Sequence, residues 1–454
     1  MGERSADTSG LARRLGTVDA VVIGLGSMLG AGVFSVFGPA ARVAGDALLV
    51  GLLVAGLVAY CNATASAQLA MAYPTSGGSY VYGRERLGHW WGFTAGWGFV
   101  VGKTASCAAM ALTFASYVVP GPGWGRRLVA AAGVAGLAGL NYRGVGKTAA
   151  ATRVLVAATL LALTVVVAGI AVGLVHDTND GARAAGGHGL AGIGQLGSVL
   201  PAGWDTAGGY GAFSYVVLQS AGLLFFAFAG YARIATMGEE VRDPRRTIPT
   251  AIPVALGIAM AVYLLVGAAV LVAAGAERLA STPAPLTAAV EAAGVGALAP
   301  VARVGAALAS LGALIALIAG VGRTGLAMAR HRDLPTWLAA VHPRYRVPHH
   351  AELALALAVC ALVLITNPGT AIGFSSFGVL VYYAIANAAA LTQPPAQRRW
   401  PRALHVLGLA GCLTLAATLP LVSVYAGLIV FAVGLAGRRI SLSRRGHGHP
   451  DQPA

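Results

Sequence analysis

Apolar residues in this chain come in long unbroken runs, without the alternation of half-buried strands. Such runs recur from about residue 18 to about residue 437, and short segments between them carry most of the charge. A helix needs about 20 apolar residues to cross the hydrocarbon layer. Without water, only a segment that satisfies its own backbone hydrogen bonds can lie there. The pattern therefore predicts an all-α polytopic membrane protein with twelve transmembrane helices. They fall at about 18–41, 47–70, 90–119, 127–141, 149–175, 211–237, 250–274, 300–328, 350–366, 371–392, 403–419 and 420–437. The fourth, the ninth and the last three are short or closely spaced. Residues 1–16 read as a polar tail, 17–392 as a core of ten spans, 393–437 as two further spans and 438–454 as a basic tail.

Two of these runs are interrupted. In the first, VDAVVIGLGSMLGAGVFSVFGPA, Gly24, Gly26, Gly30 and Gly32 fall close together. Glycine costs a helix about 1 kcal/mol relative to alanine, and at membrane depth a broken helix is tolerated only against protein or a cavity. The expected arrangement is a helix from about Val18 to Met28, a break at Leu29 to Gly32, and a half-helix from Val33. Freed N–H groups at the start of that half-helix suit an anion, most simply a carboxylate. Close helix packing is the competing explanation of the glycines. A dinucleotide-binding loop is excluded, because no strand–helix–strand unit surrounds the run. The second interruption is in span six, LLFFAFAGYARIATMGEEVRDPRR, where Gly230 sits mid-span and Arg233 follows in apolar surroundings. Two breaks five spans apart predict an inverted five-plus-five repeat with a binding site at midplane.

Composition narrows the function classes. The chain is 57% hydrophobic and 10% charged, with a formal net charge of +15. Nucleic acid is not the implied partner, because the basic residues sit in short loops between spans. With the N-terminus inside, twenty-one Arg and Lys fall on the cytoplasmic side and six outside, so both ends are expected in the cytoplasm. The loop 176–205, with His176 and His188, is then extracytoplasmic. Cys61, Cys107, Cys360 and Cys412 lie within apolar segments, and no metal or cofactor spacing appears. An embedded enzyme would need a catalytic His, acid or Cys constellation at a membrane face. The mid-span ionisable residues singled out are Lys103, Arg153 and Arg233, and none is a general base in ordinary surroundings.

Four motifs, GSMLGAGVF (Gly26 to Phe34), YPTSGGSYVYGRERLG (Tyr73 to Gly88, the loop after span two), FFAFAGYARIATMGEEVRDPRRTIPTAI (Phe225 to Ile252) and GRTGLAMARHRDLPTWLAAVHPRYRVP (Gly322 to Pro348), occur in order. With them the chain, from about Val18 to about Leu391, resembles amino acid permeases of the amino acid–polyamine–organocation superfamily. The resemblance implies a LeuT-type fold and no enzymatic activity. It implies a multi-pass permease of the plasma membrane that carries amino acids by alternating access. It places the substrate carboxylate on the N–H groups of Gly30, Ala31 and Gly32, and the substrate ammonium on the carbonyls of Phe226, Ala227 and Ala229. Phe228 and Tyr231 match lid aromatics. Thr104, Cys107 and Ser375 match the pocket wall, which holds no carboxylate and so implies a neutral cargo. An exchanger or a substrate sensor of the same fold is the alternative.

The sequence also departs from the family. A lysine common in span five of proton-driven relatives is replaced by Thr159, while Lys103 stands near the centre of span three. A buried ammonium must be paired, solvated by a cavity or neutral. Lys103 is either the group that couples transport to H+ or a structural lysine bonded to carbonyls of a break. Ala232 replaces a common aspartate; Arg233 after it either pairs with the Glu239–Glu240 region as a gate or snorkels to the interface.

Overall fold

The computed structural model describes residues 15–74, 77–119, 121, 123–143, 149–179, 209–235 and 241–446. They are almost wholly helical, and the isolated parallel bridge among them joins Leu15 to Val241. Nine helical stretches among these residues are long and apolar enough to cross a membrane, and two shorter apolar helices cover His349–Ile365 and Arg402–Thr418. The chain is thus a polytopic helical membrane protein.

The helices, in order, are α1 (Thr17–Met28), α2 (Ala31–Ser35), α3 (Phe37–Ala44), α4 (Leu48–Ala72), α5 (Ser79–Leu87), α6 (His89–Val118), α7 (Trp124–Tyr142) and α8 (Ala149–Asn179). Then follow α9 (Gly209–Phe228), α10 (Ala232–Ala235), α11 (Pro244–Ser281), α12 (Pro285–Ala292) and α13 (Ala299–Arg330). The last four are α14 (His349–Ile365), α15 (Pro368–Leu391), α16 (Arg402–Thr418) and α17 (Leu421–Gly446). Local sequence sets several starts. Pro244 and Pro368 open their helices with a fixed φ where no N–H partner is needed. Asn367 caps α15 by accepting from the Thr370 N–H at 2.9 Å.

Two sequence expectations change in detail. The segment after span two, read as a loop, contains the nine-residue helix α5. The first break is shorter than expected, because α2 already starts at Ala31. Val36 between α2 and α3 keeps helical angles (φ −73°, ψ −27°), so Ala31 to Ala44 forms one half-helix.

Small residues and polar pairs hold the helices together, since hydrocarbon gives no hydrophobic drive between them. Helices α6 and α15 cross in backbone contact: a Cβ on Gly378 would lie 2.8 Å from the Gly98 carbonyl oxygen. Asn387 donates to Asn62 at 2.6 Å, and Gln68 to Gln393 at 2.8 Å, both buried between α4 and the α15 end. Tyr82 reaches Ala235, and Arg438 near the end of α17 donates to the His89 carbonyl at 2.7 Å. Together with the Leu15–Val241 bridge, these contacts gather both described ends of the chain on one face, here termed the terminal face. Trp90 and Trp91 are exposed at the start of α6 and Trp124 at the start of α7, positions suited to interfacial anchors.

Candidate functional site

The first break begins where the Leu29 N–H bonds back to Leu25 at 2.7 Å and closes α1. The next residues start a new helix, whose first-turn N–H groups have no intrahelical acceptor. Gly30, Ala31 and Gly32 are those residues, and all three are buried. The second break lies opposite. Helix α9 ends at Phe228, a single 3₁₀ turn covers Ala229–Tyr231, and α10 resumes at Ala232.

The two breaks meet backbone to backbone. A Cβ on Gly230 would lie 2.3 Å from the Ser27 carbonyl oxygen and 2.6 Å from the Met28 nitrogen, so no other residue fits without displacement. A Cβ on Gly32 would lie 2.9 Å from the Ala227 Cα and Cβ. The glycines therefore bring the N-terminus of one half-helix beside the carbonyl end of another. Such a junction offers positive and negative dipole ends a few ångströms apart.

Side chains already use part of this polarity. Lys103 of α6 is buried and donates from Nζ to the Ala229 carbonyl at 3.1 Å. Tyr383 of α15 approaches the same carbonyl at 3.5 Å. The Tyr263 hydroxyl of α11 contacts two backbone carbonyls, those of Met28 and, at 2.9 Å, Ala227. Of the three carbonyls expected to receive a substrate ammonium, Ala229 thus already has a donor and Ala227 shares the single Tyr263 proton with Met28, although a carbonyl has a second lone pair.

The remaining expected residues divide into two groups. Phe228 is buried edge-on to Tyr263, with ring centroids 5.0 Å apart. Tyr231 stacks on Tyr383 at 4.9 Å. Cys107 and Ser375 are buried, and Ser375 shares a 2.6 Å hydrogen bond with Ser106. Thr104 turns its hydroxyl to its own helix, donating to Val100 at 2.7 Å. Thr159 is buried in α8 and Arg233 is half-buried in α10. Glu239, Glu240 and His188 lie outside the described residues.

Two polar closures flank the breaks. On the terminal face, Arg153 of α8 pairs with Asp19 in the first turn of α1, the Arg242 N–H donates to Leu15 at 3.0 Å, and Tyr82 donates to Ala235 at 3.3 Å. On the other face, Tyr117 of α6 donates to the Phe34 carbonyl at 2.8 Å and accepts from the Leu286 N–H at 3.3 Å. Beyond the terminal closure, Asp333 accepts from Tyr80 at 2.8 Å and pairs with Arg438 at 2.9 Å and more loosely with Arg84 at 3.8 Å. Burial and the Asp333 hydrogen bond push the Tyr80 phenol well above its usual range, so it stays a donor.

Sequence reasoning missed Tyr117, Tyr263 and Tyr383. The available signal was a tyrosine, rather than a phenylalanine, inside an apolar run, because a buried hydroxyl needs a partner.

The profile of the family described as amino acid permease matches residues 15–441. An uncharacterized transporter of Mycobacterium bovis is 56% identical over 437 residues, 96% of this chain and 93% of that protein. A methylthioribose transporter of Bacillus subtilis is 26% identical over 84% of this chain and 81% of its own length. Cationic amino acid transporter 7, chloroplastic, of Arabidopsis thaliana is 27% identical over 85% of this chain and 66% of that protein.

Proposed function

The chain belongs to the amino acid permease family, a family of transporters rather than enzymes, and on that premise we propose that it is a secondary active transporter of neutral amino acids. In this reading it has twelve spans, a LeuT-type five-plus-five inverted repeat, and both ends in the cytoplasm at the plasma membrane. It works by alternating access, as a proton-coupled symporter or an exchanger. The substrate carboxylate meets the N–H groups of Gly30, Ala31 and Gly32. The ammonium meets the carbonyl end of α9 at Phe226, Ala227 and Ala229. Thr104, Cys107 and Ser375 face the substrate side chain, and Phe228 and Tyr231 cover it.

The observation that carries this reading is the backbone contact between the two breaks, with Gly230 against Ser27 and Met28. A pair of opposed helix ends is complementary to a zwitterion. The wall residues carry no carboxylate, which favours a neutral side chain over a cationic one. Lys103 is the proposed coupling group. Its bond to Ala229 ties a lysine ammonium to the break, so a change in its charge changes the hydrogen bonding of the substrate's own site.

The test is uptake of radiolabelled amino acids, arginine, a polyamine and methylthioribose into liposomes holding the purified protein, with and without an inward proton gradient. Small and medium neutral amino acids should accumulate, and more so with the gradient. Preference for arginine, the polyamine or methylthioribose over every neutral amino acid contradicts the substrate assignment. Binding without any flux assigns the protein as a sensor. Lys103→Ala should abolish gradient-driven accumulation while leaving exchange of substrate down its own gradient. Lys103→Arg should not restore accumulation, because arginine does not release its proton.

A further inference from the structure

Between Glu352 and Asp451 the chain has no carboxylate side chain but seven arginines. Three of them, Arg398, Arg399 and Arg402, crowd the connection between α15 and α16 on the terminal face. Arg86 of α5 joins them: it donates from Nε to the Thr392 hydroxyl at 3.0 Å and from Nη2 to the Thr392 carbonyl. Arg398 donates from Nε to the carbonyl of the next residue, Gln393, at 2.8 Å. Two guanidiniums are thus tied to adjacent residues. Buried Gln68 of α4 holds the same connection. It accepts from the Arg399 and Trp400 N–H groups at 2.9 and 3.2 Å and donates to the Gln393 side chain at 2.8 Å.

The connection is a cluster of positive charge without compensation. None of Arg86, Arg398, Arg399 and Arg402 is paired with a carboxylate among the described residues. Desolvation and the Arg402 charge both lower the pKa of Arg398, as expected where two cations stand close together. The bonds above use only Nε of Arg398 and Nε and Nη2 of Arg86, so terminal N–H groups of both remain for a further acceptor. Forks of this kind match the oxygens of a phosphate. Beside the charges the surface turns apolar. Arg402, Val406 and Leu413 lie four and seven residues apart on one outward face of α16, and all three are exposed. Half-buried Trp400, with the Arg399 guanidinium 5.4 Å from its ring centroid, is the kind of residue that sits at head-group depth. A free phosphate would use only the arginines, whereas an amphiphile with an anionic head uses both parts of this surface.

We propose that this surface binds an anionic phospholipid: Arg86, Arg398 and Arg402 hold the phosphate, and an acyl chain lies along the Val406 and Leu413 face of α16. The site is independent of the transport reading above. Because Gln68 joins α4 to the same connection, a lipid bound there braces α4 against α15 and α16.

The test is the thermal unfolding midpoint of the full-length protein, stripped of lipid in a neutral detergent. It is titrated at constant ionic strength with phosphatidylglycerol, phosphatidylcholine or inorganic phosphate. Phosphatidylglycerol should raise the midpoint saturably, at concentrations at least about tenfold below phosphatidylcholine. Inorganic phosphate should leave it unchanged at the concentrations where phosphatidylglycerol saturates. The double variant Arg398→Gln/Arg402→Gln should raise the half-saturating phosphatidylglycerol concentration by about 30-fold, roughly fivefold for each arginine. Arg402→Gln alone, at about fivefold, carries the test if the double variant does not fold. Arg245→Gln/Arg246→Gln removes the same charge from exposed positions at the start of α11, on the same face. It should raise that concentration by no more than about threefold, because separated surface charges are screened. Equal potency of the two lipids, or no response to either, overturns the site. A matching shift with inorganic phosphate overturns the lipid as its occupant. Equal losses in the two double variants reduce the effect to diffuse charge and also overturn the site, as does an unchanged response in Arg402→Gln.

Discussion

The two faces of the molecule are closed by different means. On the terminal face the closure is spread over Leu15–Arg242, Asp19–Arg153 and Tyr82–Ala235, which are independent contacts between separate segments. On the opposite face the described closure near the breaks centres on one buried hydroxyl, that of Tyr117, which serves Phe34 and Leu286 together. The ion pair on the terminal face is partly solvated, with the Arg153 side chain 56% exposed, and such pairs contribute only about 0–1 kcal/mol. The tyrosine is buried, so its loss strands two backbone groups. A closure built from several weak contacts yields gradually to substitution; one built on a single shared group fails at once.

Four substitutions test this contrast, one read by substrate binding and three by labelling of Cys107. Cys107 is fully buried on α6, between Lys103 and Tyr117 in sequence, and the other three cysteines would be replaced by serine. The largest effect is expected at the hub the closures share. Gly32→Val sets a Cβ against the Ala227 backbone, 2.9 Å away, at an overpacking cost of about 1–3 kcal/mol. Substrate binding should fall below detection in a protein that still folds, and unchanged affinity would remove the carboxylate assignment at the break. Next is Tyr117→Phe, which leaves the ring in place against Phe34. Losing two hydrogen bonds of about 1 kcal/mol each should speed Cys107 labelling from the face opposite the chain ends by about 30-fold. If labelling from that face is unchanged, the closure does not depend on the hydroxyl.

Smaller effects are expected at the terminal face. Tyr82→Phe should speed labelling from that side by about 3- to 10-fold. Asp19→Asn should change it by about 5-fold at most, with the effect shrinking further in high salt. The two should multiply in the double variant, since their partners are separate. A 30-fold effect from Asp19→Asn alone would erase the distinction between the faces.

The helical membrane class and both breaks were legible in the sequence because they are local. Hydropathy over about twenty residues identifies a span, and glycines inside an apolar run identify a place where it can open. The closures were not legible, because they join distant residues to backbone groups. Tyr117 pairs with a carbonyl 83 positions away and Tyr263 with one 235 positions away, and nothing in a hydropathy pattern says which carbonyl will be available. Arg84 and Arg438 were read only as charges that orient the chain. In the structure they meet at Asp333 with Tyr80, in a network where the Arg438 and Asp333 side chains are nearly inaccessible. Lys103 lay between these cases. Its depth marked it as exceptional, and the bond to Ala229 supplies the partner that depth required.

The backbone contact at Gly230 also limits how this protein can vary. Every residue other than glycine would place an atom inside the Ser27–Met28 peptide, so the position admits no gradual change. Cys107 and Ser375 are buried among side chains and Thr104 is half-buried, so a change there repacks neighbours instead of colliding with a peptide at 2.3 Å. On the proposed transport reading, a saturation library should therefore tolerate variants at these three positions, where they would retune which cargo is preferred, and none at Gly230. Under that reading, cargo preference would drift among side chains without the backbone junction being rebuilt.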